Sequence, residues 1–75
     1  MKVTVEVYSQ DVDACFEVFK KALDTGASEI YLGSNHDWDT KEFESLRLTF
    51  EADHSNEALA SLDDGPFQIE EEFNK

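Results

Sequence analysis

The sequence predicts an α+β domain with elements in the order β-α-β-β-α-β. Three observations predict it. Apolar and polar residues alternate in four short segments, two other segments carry apolar residues at helical spacing, and glycine ends each helical segment.

In the first segment Val3, Val5 and Val7 alternate with Thr4, Glu6 and Tyr8. Period two with β-branched residues is the pattern of a half-buried strand. Ser9 or Asp11 can cap the helix that follows. In it Val12, Cys15, Phe16, Phe19, Ala22 and Leu23 fall on one stripe, and Asp13, Glu17, Lys20 and Lys21 fall on the other side. Glu17 precedes the two lysines by three and four residues, the favourable order for helix pairs. Gly26 is a natural stop.

Glu29-Ile30-Tyr31-Leu32 alternates again and Gly33 ends it; Ser34 to Glu42 is polar and reads as a loop. Leu46, Leu48 and Phe50 alternate with Arg47, Thr49 and Glu51 as a third strand. Ser55 can cap a short second helix with Ala58, Leu59 and Leu62 on its apolar face, ended by Gly65-Pro66. Phe67, Ile69 and Phe73 alternate with Gln68, Glu70 and Glu72 as a last strand. No repeat or linker interrupts the 75 residues, so residues 1–75 read as a single domain. The simplest architecture is an antiparallel sheet with two helices on one face, as in ferredoxin-like folds. The first and third strands then lie in the centre, and the second and fourth form the edges.

Charge dominates the composition. Eighteen acids face six basic residues, for a formal charge of −12, yet 40% of the residues are hydrophobic and 12% aromatic. Disordered acidic tails lack such aromatic content. The chain should therefore fold and then carry a large negative field, which repels nucleic acid and anionic membrane and draws in cationic protein surfaces. No apolar run approaches the ~20 residues of a membrane span. The first residues have no apolar core of a signal peptide, and Cys15 is the lone cysteine. Both features point to a reducing, cytoplasmic setting.

Sequence motifs for chemistry are weak. Asn35, Asp37 and Asp39 have the first spacings of a calcium loop, but Thr40 stands where glycine is required and Leu46 where glutamate is. His36 with Asp37 and Asp39, and Asp53 with His54, read as solvated polar loops, so no metal or other cofactor is expected. Cys15 among Val12, Phe16 and Phe19 reads as a buried thiol. With no phosphate loop, nucleophile elbow or HExxH, the chain is expected not to be an enzyme.

The candidate binding residues come from the predicted sheet. Its helix-free face takes Glu6, Glu29, Tyr31, Glu51, Glu70 and Glu72. RNA-binding domains of this topology use that face with aromatic and basic residues. Here glutamates predominate; they would repel phosphate and could imitate it. Trp38, between Asp37 and Asp39, has two readings. It can dock between a partner's arginines, or fold back over the sheet edge. Asp63 and Asp64 stand at a helix C-terminus, where the dipole disfavours anions, and join the candidate set for that reason.

In size, charge, lone cysteine and acidic face the chain resembles, at class level, the small acidic inhibitors encoded by phages. These include anti-CRISPR proteins that mimic nucleic acid, the overcome-restriction protein and the uracil-DNA glycosylase inhibitors. No aligned motif carries the resemblance. It implies a competitive inhibitor whose carboxylates occupy the groove of a basic nucleic-acid-binding protein, inside the host cell. The alternative is a small cytoplasmic interaction or structural module, open to homodimerising through the sheet face or an edge strand, with acidity serving solubility.

Overall fold

The computed structural model describes residues 2–62 and 65–74. Its elements are β1 (Lys2–Ser9), α1 (Val12–Asp24), β2 (Ser28–His36), β3 (Phe43–Asp53), α2 (Glu57–Ala60) and β4 (Gln68–Asn74). The four strands form one antiparallel sheet in the order β2-β3-β1-β4. The predicted element order and the central placement of β1 and β3 are both observed.

The core is the helix-side face of the two central strands. Val3, Val5 and Val7 of β1 and Leu48, Phe50 and Ala52 of β3 are buried against Cys15, Val18 and Ala22 of α1. Ala58 and Leu62 close the core from the α2 side, and Ile30, Leu32, Leu46 and Ile69 pack on its margin.

The first helix differs from expectation. Its buried stripe is Cys15, Val18 and Ala22, whereas Val12, Phe16 and Leu23 are exposed. A helix packed on a sheet buries one narrow stripe, and residues some 100° away on the same helix miss the contact. The cap is Asp11, whose Oδ1 accepts from the Ala14 N–H at 3.0 Å. Ser9 is instead buried, and its Oγ bridges the Pro66 carbonyl at 3.0 Å and the Asp11 N–H.

Three boundaries also move. The polar segment read as a loop is mostly a hairpin: β2 runs to His36, β3 starts at Phe43, and only residues 37–42 turn. The paired rings of His36 and Phe43, 5.9 Å apart and edge-on, sustain the strands where the apolar alternation has ended. Residues 43–45 lie beyond the reach of β1, which stops at the Ser9–Leu46 pair, so the hairpin projects as an arm. The second helix is a single turn capped by Asn56, whose Oδ1 accepts from Ala58 N–H at 2.8 Å. Ser55 instead donates to Asp53 through both its N–H and its hydroxyl. Those donors hold the Asp53 carboxyl below the usual carboxylate range.

Candidate protein-binding face

The strand registers place the helix-free face row by row. Ser28, Glu51, Thr4 and Glu72 form one row across the sheet, and Tyr31, Thr49, Glu6 and Glu70 the next. The following row is Gly33, Arg47, Tyr8 and Gln68. Laterally paired side chains in such rows have Cβ atoms about 4.5–5.5 Å apart. Four glutamates, Glu6, Glu51, Glu70 and Glu72, therefore gather in two adjacent rows toward one end of the face, and Arg47 stands in the next row, lining one hollow with Glu6.

Their environments differ. Tyr8 donates its hydroxyl to Glu6. That bond, then lost hydration and the charges of Glu6 and Glu70, push the Tyr8 hydroxyl above its ordinary pKa. Lys2 lies 3.6 Å from Glu51. Glu70 and Glu72 are exposed on the edge strand β4, and among the described residues no salt bridge is seen to them. The acidic end is thus weighted toward β4, with Glu71 exposed on the opposite face beside Val5.

Glu29 departs from the expected lattice. The register shifts between Ser28 and Tyr31, and Glu29 occupies the extra position with φ 53°. A bulge breaks the alternation from which its place was inferred. Its carboxylate accepts from the Tyr31 hydroxyl at 3.3 Å, so Glu29 stays near the face without belonging to a row.

The hairpin arm holds Asp37, Trp38 and Asp39. Asp37 Oδ1 accepts from the N–H groups of Asp39 at 2.9 Å and Thr40 at 2.8 Å, and these bonds keep its carboxyl well below the usual range. Asp37 builds the turn. Trp38 is 85% exposed, so the reading in which it folds over the sheet edge is not what forms. Its nearest cation is Lys41 of the same turn, 5.0 Å from the ring centre. The arm stands apart from the acidic rows, and the structure does not join the two groups of candidates into one site. Asp63 and Asp64 lie outside the described residues.

Among the described residues no cluster of His, Cys, Asp or Glu could hold a metal ion. One hollow, about 460 Å³, sits at the far end of the sheet between Tyr8, Ser9, Glu44 and Pro66. Sequence reasoning passed over Lys41, whose contact with Trp38 is made by the turn. Alternation places Arg47 on the face, but its position in the row beside Glu6 needed the strand registers.

No protein-family model matches the chain, and no curated protein matches it. Among solved structures it is similar to a DUF3240 family protein from Shewanella baltica, with 10% identity over 93% of this chain and 86% of that one and a TM-score of 0.64. It is similar to a PII-like signalling protein described from Thermus thermophilus, with 13% identity, 93% and 83% coverage and a TM-score of 0.57. It is also similar to LarC2, the C-terminal domain of a cyclometallase involved in making the cofactor of lactate racemase, with 16% identity and a TM-score of 0.55. This chain spans 56% of that one. Among the described residues no helix is long and apolar enough to cross a membrane. At these identities the likenesses speak for architecture alone: the chain is a small α+β domain of ferredoxin-like fold.

Proposed function

We propose that this chain is a non-catalytic interaction module that receives a basic segment of a partner protein on the acidic end of its open sheet face. The observation that carries the reading is the cross-strand group of Glu6, Glu70 and Glu72, presented on a face that neither helix covers. A field of −12 speeds the approach of a cationic partner, and an exposed, laterally spaced set of carboxylates gives it a place to dock. Likeness to a PII-like signalling protein supports a small binding module more than it supports chemistry. The buried thiol of Cys15 suits a reducing, cytoplasmic setting.

The narrower form of this reading makes the partner a nucleic-acid-binding protein and the carboxylates stand-ins for phosphates. The overall charge and the absence of any lysine from the two acidic rows support it. The pairing of Glu51 with Lys2, of Glu6 with Tyr8, and the presence of Arg47 on the face count against a uniform phosphate-like array.

Affinity capture from lysate at low and high salt, followed by mass spectrometry, identifies the partner. The same capture with Glu70→Lys/Glu72→Lys, and with Asp24→Lys/Glu42→Lys as a control of equal charge change, tests the face. Loss confined to the β4 pair supports the proposal. Equal loss in both shows that net charge alone acts and removes the site. Competition of the captured complex by free DNA distinguishes the nucleic-acid-binding partner from any other basic protein.

A further inference from the structure

Gly33 answers no need of the backbone. It sits inside β2, where the register is unbroken from Tyr31 to Asn35, and it has no positive φ. A Cβ there would meet nothing within 4 Å. Glycine weakens a strand interior, and away from a bulge or bend it marks a place that something approaches closely. Its lateral neighbour is Arg47, which is exposed. Among the described residues no ion pair or hydrogen bond is seen to the Arg47 guanidinium.

The missing side chain leaves a hollow of about 380 Å³ on the helix-free face, lined by Gly33, Arg47, Tyr31, Thr49 and Glu6. Small-molecule sites span roughly 300–1,000 Å³. Tyr31, 65% exposed and tied by its hydroxyl to Glu29, borders the hollow on the β2 side. Glu6 borders it on the β1 side, and its carboxylate accepts from Tyr8 on one oxygen and has the other to offer. Arg47 and Glu6 are diagonal neighbours across β3 and β1, with backbones about 7–8 Å apart.

Charge selects the ligand. A guanidinium grips a carboxylate through two parallel hydrogen bonds. The field of −12 repels a free anion before it can reach Arg47. A simple cation would spread over the glutamates of the two acidic rows, with nothing to hold it beside Gly33. A molecule carrying both charges is neutral at a distance, and its two ends match the order of the rows. We propose that this hollow binds a free α-amino acid, with its carboxylate on Arg47, its ammonium on Glu6 and its side chain over Gly33 against Tyr31. The hollow is open to solvent, so the affinity falls in the millimolar range. It shares only Glu6 with the group proposed to receive a partner protein, and neither proposal depends on the other.

Nitrogen–proton NMR spectra of the full chain, recorded as each standard L-amino acid is added to millimolar concentration, test this. At least one should give saturable shifts centred on the amides of Gly33 and Arg47. Its N-acetyl derivative, which keeps only the carboxylate, and its carboxamide, which keeps only the ammonium, should each bind there about tenfold more weakly or worse. Arg47→Gln should weaken binding by about tenfold or more, and Glu6→Gln several-fold. Gly33→Val fills the hollow and changes no charge. It should abolish the shifts and keep the native circular dichroism spectrum, because a β-branched residue suits a strand and has room there. If Gly33→Val does not fold, Arg47→Gln at the exposed surface decides alone. The proposal is overturned if no amino acid gives saturable shifts, or if the shifts centre on Glu70 and Glu72. It is equally overturned if a singly charged derivative binds as well, or if folded Gly33→Val or Arg47→Gln binds unchanged.

Discussion

The ammonium of Lys41 donates to the Trp38 carbonyl at 2.9 Å and lies 5.0 Å from the centre of the Trp38 ring. This pair lies in the turn of the hairpin arm, with Lys41 itself at φ 64°. The exposed tryptophan is thus held by its own turn and not by the core. Trp38→Ala should leave global stability within about 0.5 kcal/mol, as is usual for exposed surface changes. Urea titration followed by circular dichroism checks this. A loss of several kcal/mol would mean that the ring is core.

Asp37 makes the same turn sensitive to acid. Its folded carboxyl sits below the ordinary range because the N–H groups of Thr40 and Asp39 favour the charged form. The turn is therefore at full strength above the ordinary carboxylate range and loosens as pH falls through and below it. Trp38 is the only tryptophan, so its emission reports the turn directly. Asp37→Asn keeps an oxygen acceptor and loses the charge. It should hold the turn at neutral pH while flattening the acid transition of the emission.

Cys15 is wholly buried, and burial pushes its thiol above the ordinary pKa. Labelling by a bulky thiol reagent at neutral pH should be slow in the native protein and fast in urea. Cys15→Ser places a hydroxyl among Val and Phe side chains. It should cost roughly 1–3 kcal/mol unless the hydroxyl finds a backbone acceptor. Chemical denaturation measures the loss.

Glu29 holds a left-handed conformation in the β2 bulge, which costs a residue with a Cβ about 1 kcal/mol. Glu29→Gly removes that cost while adding backbone freedom to the unfolded chain. The expected outcome is a melting temperature unchanged or raised by a few degrees. A marked fall would show that the hydrogen bond from Tyr31 stabilises the bulge more than the conformation strains it.

Gly65 has no room for a side chain: a Cβ there would lie 2.0 Å from the Phe67 ring. Gly65→Ala should displace that ring from the core margin and destabilise by about 1–3 kcal/mol. Trimming the ring should relieve the clash, so Gly65→Ala/Phe67→Leu should cost less than the sum of its single changes. Strict additivity would show that the two positions do not meet.

The sequence by itself determined the element order, the central strands and most of the core. Those depend on local periodicity: Val3, Val5 and Val7 can serve only a strand with one buried face, and so can Leu46, Leu48 and Phe50. It also determined the charge that the fold must carry. Tertiary structure decided the rest, because each remaining question concerned a neighbour distant in the chain. Val12, Phe16 and Leu23 belong to the same broad apolar arc as Cys15, and only docking on the sheet shows which stripe is buried. Phe43 and His36 extend the hairpin through a cross-strand ring contact that no alternation announces. The extra residue at the β2 bulge, taken up by Glu29, is set by its pairing with β3, so a period of two carried through it misplaces that side chain. The gathering of Glu6, Glu70 and Glu72 depends on the β1–β4 register, in which residues more than sixty positions apart become lateral neighbours.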